Sequence, residues 1–402
     1  MTSFPELGSP SPESTLLRAA LALAVVFVML ATTGWTAVRN HRPDSGPMAS
    51  TVSSWQHATF RGHELPDPKA APASLERFFD SLTAAQRLRL ADKYPLVVGN
   101  LNGAPLKLRY RANHTALAQA RAVERERVHD TGLTPIGRQT ADNLVHRFTS
   151  LMRDGRQILA FDPTGSGRAA EVFGDLDTAE RVSVVVPGVD TNVSNFERTE
   201  RARIAPVGMA GALYGAERRT RPGTGTAVIA WADYTTPVGV GMGAATGQLA
   251  EAGSGRLRSL IEALPQQSRV ALFCHSYGSV VCGVAARDLP DRVTDIAVAG
   301  SPGMRAETAA GLHTSARIWA TRDSDDWIRD IPHLELGGLG HGADPVSAEF
   351  GARVVSAAGA VGHPGYFVPG TESLNNFARI GVGAIDSVSC SDRDRDCAAD
   401  VA

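Results

Sequence analysis

One stretch limits what this chain can fold into more than any other. Residues 269 to 287 read Arg269-Val-Ala-Leu-Phe-Cys-His-Ser-Tyr-Gly-Ser-Val-Val-Cys-Gly-Val-Ala-Ala-Arg287. Val270 to Phe273 is an apolar run of strand length, whereas Val280, Val281, Val284 and Ala285 recur at helical spacing. Between them stands Ser276, flanked by Cys274-His275 and Tyr277-Gly278. A strand that passes into a helix through one Ser between small residues is a nucleophile elbow, and its tightness demands small side chains two before and two after the Ser. Gly278 meets that demand; Cys274 is compact but stands where Gly is usual. So short a pattern also arises by chance, and a buried Ser capping a helix is the competing reading. The rest of the chain must decide.

Its 402 residues suffice for one large α/β domain with additions or for two or three smaller domains. A hydrophobic content of 43% against 20% charged residues describes a globular chain with a sizeable core, and a net charge of −2 gives no footprint for nucleic acid. Cys274 and Cys282 fall in the elbow strand and its helix, where buried free thiols are expected. Cys390 and Cys397 bracket a polar loop short enough to close as a disulfide, which would suit an oxidising compartment.

From Ala19 to Val38 no residue is charged, and Arg18 and Arg39 bound the run. As a helix it would be about 30 Å long, the thickness of a hydrocarbon core. Glu6 and Glu13 precede Arg18 in place of a positive leader, and no small-x-small cleavage site follows, so an uncleaved anchor is the expectation, with a signal peptide or a buried helix as alternatives. Residues 1–18 are then a short leading segment and 19–38 a transmembrane helix. Charges flanking the run are nearly balanced; the tail cysteines favour an extracytoplasmic catalytic domain. Residues 39–73 are rich in Pro, Ser and Gly without an apolar period and read as a linker. Residues 74–155 show helical patterns, among them Leu75, Phe78, Phe79 and Leu82 with Ser74 as a candidate cap, and Leu117 to Val128.

Beyond them, short β-branched runs alternate with helical or Gly-rich segments over residues 156–388, with a polar tail at 389–402. Candidate strands are Gln157–Phe161, Arg181–Val186, Thr226–Ala230, Arg269–Phe273, Val293–Val298 and Arg317–Ala320, with a crossover helix over Ala244 to Leu264. This alternation implies a mostly parallel sheet with helices on both faces, whose ligands sit beyond the carboxyl ends of the strands. After the last candidate strand come Asp323, Asp325 and Asp326, of which Asp326 precedes the apolar Trp327-Ile328; at least two of the three are turn or cap residues. Later His363 stands in a loop lined by Gly and Pro. His313, His333 and His341 read as surface or structural residues. Asp392, Asp394 and Asp396 alternate like the start of a calcium loop but lack its Gly and final Glu, so no metal site is expected.

Several segments together resemble an actinobacterial α/β-hydrolase family long catalogued as a domain of unknown function. They are Val98-Gly-Asn-Leu-Asn-Gly-Ala-Pro105 with Arg109 to Asn113, Leu159 to Pro163, Val185-Val-Pro-Gly188, Ala230 to Tyr234, the elbow, Gly300-Ser-Pro-Gly303, Asp326-Trp-Ile328, His341 to Pro345 and Gly362-His-Pro-Gly-Tyr366. Cys274 and Asn102 depart from the family pattern. The resemblance implies an α/β-hydrolase fold preceded by a helical region, with Ser276 as nucleophile, Asp326 as the acid and His363 as the base. Such a triad needs no cofactor: the imidazole takes the Ser proton, the carboxylate orients the imidazole, and backbone N–H groups receive the oxyanion. Tyr277, directly after the Ser, and Val189 with Gly188, after an earlier strand, are the candidate oxyanion donors. The expectation is a membrane-anchored serine hydrolase or acyl transferase acting on a small-molecule or lipid-like acyl substrate. The alternative is a catalytically silent binding protein of the same fold.

Overall fold

The structure, a computed structural model, describes residues 46–60 and 63–399. The expected leading segment and transmembrane helix, residues 1–18 and 19–38, lie outside the described residues. Among the described residues no helix is long and apolar enough to cross a membrane.

Residues expected to form a linker are instead folded over much of their length. Helix α1 (Pro47–Gln56) is followed by a two-stranded hairpin of β1 (Thr59–Phe60) and β2 (His63–Glu64). Trp55 is buried, donates its indole N–H to the Pro66 carbonyl at 2.7 Å and meets Tyr94 edge to face. Trp55 and Leu65 are too widely spaced to show an apolar period, and their burial comes only from tertiary contact. Helices α2 (Pro72–Asp80), α3 (Ala84–Lys93), α4 (Pro95–Val98), α5 (Leu106–Val128) and α6 (Pro135–Leu151) follow. Ser74 does not cap the first of these: Pro72, with its fixed φ, starts the helix, and Ala71 is the cap residue. Thr83 forms a reciprocal capping box with Gln86 on α3.

The sheet is built from β3 (Gln157–Asp162), β4 (Arg168–Gly174), β5 (Arg181–Val186), β6 (Thr226–Ala232), β7 (Arg269–His275), β8 (Val293–Ala299), β9 (Arg317–Thr321) and β12 (Arg353–Val354), in the order β12-β9-β8-β7-β5-β6-β4-β3. Pairings are parallel from β12 to β6 and antiparallel where β4 joins β6 and β3. β4 has no counterpart among the candidate strands, because its Ala-rich Arg-Ala-Ala-Glu-Val-Phe-Gly carries little β propensity of its own. Between strands lie α7 (Pro206–Thr220), α8 (Met242–Ala245), α9 (Gln248–Ala263), α10 (Gly278–Ala285) and, near the end, α11 (Glu372–Gly381). Alternate strand residues bury in opposite layers. Val184, Val186, Leu272 and Cys274 pack with α9 and α10; Val185, Phe273, Val228 and Ala230 pack with α6, α7 and α11.

The helical region covers the free edge of β3. The Asn100 amide donates to the Phe161 carbonyl at 2.8 Å and accepts from its N–H at 3.1 Å. Buried Arg109 donates to Leu159 O, and buried Asn113 to Ile158 O and Gly99 O. A side chain at Gly99 would collide with the Asn113 amide, its Cβ falling 2.0 Å from Oδ1. At the other end the tail is tied down by the Cys390–Cys397 disulfide, by Val354 N–H donating to Asp394 and by Arg353 donating to Cys397 O.

One buried acid sits between layers. Glu217 of α7 is completely buried and accepts hydrogen bonds from Ser183 of β5 and Thr226 of β6. Burial pushes its carboxyl up to about 8, the two hydroxyls only partly offsetting it. Its pKa is higher folded than unfolded, so folding takes up a proton across the window from the ordinary carboxylate range to about 8, and stability falls as pH rises through that window. Glu217→Gln should remove this slope: its melting temperature relative to the parent should rise between pH 5 and pH 8 and then level, each unit of pH within the window contributing up to about 1.4 kcal/mol. Asn113→Ala removes the side-chain donor to the Ile158 carbonyl, while Gly99 O keeps Arg109 Nε at 3.3 Å, and should lower unfolding free energy by about 1–3 kcal/mol in a denaturant titration.

Candidate active site

β7 runs between β5 and β8 with Val270 to Cys274 buried, and it ends where the chain turns sharply into α10. Ser276 occupies that turn at φ 55°, the left-handed region that costs a non-Gly residue roughly 1 kcal/mol or more. Neighbours hold it there. Ser276 N–H donates to the Ala299 carbonyl at the end of β8, 3.0 Å away. A Cβ at Gly278 would lie 2.3 Å from the Val186 carbonyl, so β5 passes too close for any side chain. The elbow expected from the sequence is therefore present, with its Gly required by close approach.

Cys274 and Cys282 are not free thiols. They form a disulfide, with Cα atoms 6.6 Å apart, that ties the end of β7 to the first helix after the turn. Alternation along β7 points Cys274 into the layer that holds α10, and the sharp reversal brings Cys282 opposite it. The bridge thus crosses the turn that carries Ser276.

Gly188, in the loop after β5, packs directly on Ser276: a Cβ there would lie 2.6 Å from Ser276 Cβ and 2.9 Å from Oγ. The Pro187 carbonyl accepts the buried Tyr234 hydroxyl at 2.5 Å, which fixes this loop. The N–H groups of Tyr277 and Val189 have no hydrogen-bond partner among the described residues, so both are free to donate.

On the neighbouring loops, Asp326 is fully buried as the cap of a short turn over Trp327–Asp330. His363 Nδ1 lies 2.9 and 3.0 Å from its two oxygens, Tyr366 O–H donates to it at 2.5 Å, and Ile328 N–H donates at 2.9 Å. Burial raises the Asp326 pKa, but the bonds from His363, Tyr366 and Ile328 outweigh it and hold the carboxyl below the usual range, so it stays anionic. With the carboxylate accepting, Nδ1 carries the hydrogen and Nε2 is the basic nitrogen. Among the three acids, Asp323 is the brace: it accepts Gly362 N–H at 2.7 Å, and its own N–H donates to the Tyr366 hydroxyl.

Two further residues join this pair to the elbow. His275, one before Ser276, packs against His363 with ring centroids 4.7 Å apart and the planes tilted by 44°, and its Nε2 donates to the His363 carbonyl at 2.7 Å. Burial, with His363 beside it, holds its imidazole down to about 3, so it remains neutral. Gly300 follows the carbonyl that receives Ser276 N–H, and a Cβ there would fall 2.7 Å from Asp326 Oδ2 and 3.0 Å from His363 Nδ1. The structure thus brings Asp326 and His363 into contact and sets them against the residues flanking Ser276. Among the described residues no hydrogen bond joins the Ser276 hydroxyl to the imidazole; such contacts are commonly long in unliganded sites. His275, Gly300 and Tyr366 were given no role by the sequence reading, although all three lie in segments it quoted, and Asp323 was one of the three acids of which at least two were read as turn or cap residues.

An α/β hydrolase family model matches residues 162–336, a span that includes Ser276 and Asp326. An uncharacterized protein of Mycobacterium bovis is 31% identical over 214 residues, covering 50% of this chain and 77% of its own length. This chain belongs to the α/β hydrolase family. An uncharacterized protein of Mycobacterium tuberculosis is 27% identical over 387 residues; the alignment covers 81% of this chain but 58% of that relative's length. Among solved structures, the dienelactone hydrolase of Anabaena variabilis matches 58% of this chain and 99% of its own at 15% identity, with a TM-score of 0.37. Est1E from Butyrivibrio proteoclasticus matches 57% and 100% at 11% identity and a TM-score of 0.35. Likeness of that extent says nothing of chemistry. Nor does membership of the family by itself assign a reaction to this chain.

The two disulfides can be checked directly. Iodoacetamide added to denatured, unreduced protein should leave the intact mass unchanged, and after reduction it should add four carbamidomethyl groups. Cys274→Ala with Cys282→Ala should lower stability by about 2–3 kcal/mol, the value for closing so short a ring.

Proposed function

We propose that this chain is a serine hydrolase that forms an acyl-enzyme on Ser276, with His363 as general base and Asp326 as its orienting carboxylate. The observation that carries this reading is the Asp326–His363 contact at 2.9 Å, held by Gly300 and His275 against the strained turn that bears Ser276. Attack of Oγ on an ester carbonyl transfers the hydroxyl proton to His363 Nε2, and the imidazolium formed is stabilised by Asp326. The oxyanion receives N–H bonds from Tyr277 and from Val189, with Gly188 leaving space beside the nucleophile; each such donor contributes roughly 100- to 1,000-fold. Collapse returns the proton to the leaving alcohol, and water then attacks the acyl-enzyme by the same route. Thioesters and amides follow the same steps, and an alcohol in place of water makes the protein an acyl transferase.

Two disulfides suit an oxidising compartment. Together with the uncharged run 19–38, they support a catalytic domain tethered outside the cytoplasmic membrane. Because the chain spans 58% of the length of the Mycobacterium tuberculosis relative, this activity is proposed for the present chain and not for the longer proteins.

A fluorophosphonate probe should label folded protein at Ser276, read by peptide mass spectrometry, and Ser276→Ala should abolish both labelling and hydrolysis of p-nitrophenyl acetate, with kcat falling at least about 1,000-fold. Tyr366→Phe removes one donor to Asp326 and should lower kcat by roughly tenfold with little change in KM, the signature of weakened support for the imidazolium. Absence of both labelling and turnover would instead favour the silent binding protein.

A further inference from the structure

Exposed apolar side chains are unevenly distributed over this molecule. Of the twelve large hydrophobic residues exposed among the described residues, nine fall between 238 and 242, between 327 and 339, or between 361 and 368. Those segments follow β6 and β9 or surround His363, so they share the carboxyl edge of the parallel strands with Ser276. The exceptions, Leu88, Val123 and Ile136, lie on the helical region.

Specific contacts gather these segments around the nucleophile. Tyr277, next to Ser276, donates its hydroxyl to Thr246 O at 2.8 Å, and Thr246 bridges to Leu339 of the hairpin formed by β10 (Glu335–Leu336) and β11 (Leu339–Gly340). The far end of the same loop is tied to the Gly188 loop: Asp190 N–H donates to Pro237 O, and Gly239 N–H donates to the Asp190 carboxylate, both at 2.8 Å. On the opposite side, the Trp327 ring lies 5.0 Å from that of His363, and Val361 stands two residues before it. Val238 and Val240 are 86% and 74% exposed, Leu336 is 77% exposed, and Val361 is 78% exposed. Gly337 and Gly338, both at positive φ, make the tight turn that presents Leu336 and Leu339 at the hairpin tip.

Charge indicates what covers this rim. Thr235 to Gly247 contains no charged residue, and the one charge of the hairpin, Glu335, is neutralised by Arg305 at 2.9 Å. A protein partner is normally met by an apolar centre with a polar border, and an anionic membrane by Lys and Arg. The 235–247 loop and the hairpin offer neither, and the exposed Arg329 and Asp330 beside Trp327 lie 3.7 Å from each other, so the rim presents no surplus of positive charge. Uncharged hydrocarbon is the matching occupant.

We infer that this protein takes water-insoluble acyl esters from a neutral lipid surface, which the apolar loops around Ser276 contact directly. The inference rests on the serine-hydrolase reading above and names its substrate class.

The test uses the full chain, a rim variant V238S/V240S/L336S/L339S, and a control variant V123S/I136S with exposed apolar residues replaced elsewhere. Rates are measured on p-nitrophenyl acetate in solution and on emulsified p-nitrophenyl dodecanoate. In a Ser276→Ala background, each chain is also mixed with the emulsion and the protein left in the aqueous phase is measured. The ratio of dodecanoate to acetate rates should fall at least tenfold in the rim variant and stay within twofold in the control, and adsorption should fall with it. An unchanged ratio or unchanged adsorption overturns the inference. So does a parent that elutes as a dimer when the rim variant elutes as a monomer, which would make the rim an interface between copies. If the parent hydrolyses neither ester, the serine-hydrolase reading fails, and adsorption alone decides whether the rim meets lipid.

Discussion

Everything at this site depends on how closely the end of β5 passes the turn after β7. The Val186 carbonyl lies where a Cβ of residue 278 would be, and Gly188 lies where any side chain would strike Ser276. That approach leaves Ser276 only the left-handed conformation, and the Ala299 carbonyl completes the restraint. In the proposed reaction, a hydroxyl carried on so restrained a backbone would have little further freedom to lose. The disulfide across the same turn adds a covalent restraint where related elbows carry Gly.

His363 is positioned by a second set of contacts that share little with the first. Tyr366, Ile328 N–H and His363 converge on one buried carboxylate, and Asp323 braces the loop from below. His275 connects the two sets, since it belongs to the elbow strand yet donates to the carbonyl of His363. Its burial keeps it neutral, so it adds no positive charge beside His363.

Away from the site, the helical region solves an edge problem. β3 is the outermost strand, and Asn100, Arg109 and Asn113 satisfy its exposed carbonyls with side chains in place of another strand. The segments around residues 98–105 and 109–113 that the sequence resemblance rests on are accordingly structural. Their polar character had no visible purpose in the sequence, because the groups they satisfy lie 45 to 61 residues further along.

Sequence alone determined the layered α/β class, six of the eight strands of the main sheet to within two residues at either end, the elbow, and the chain order of Ser, Asp and His. These are legible because local periodicity and tight-turn chemistry act over a few residues. The tail disulfide was legible for the same reason, its cysteines bracketing one short loop. Only tertiary structure decided that Cys274 and Cys282 are bonded, that β4 is a strand, that residues 47–60 and 63–65 fold rather than link, and that His275, Gly300 and Tyr366 support the site. Each of these depends on which distant groups meet, and no local pattern carries that information: a buried Trp55 or an Ala-rich strand becomes stable only once the surface that covers it exists.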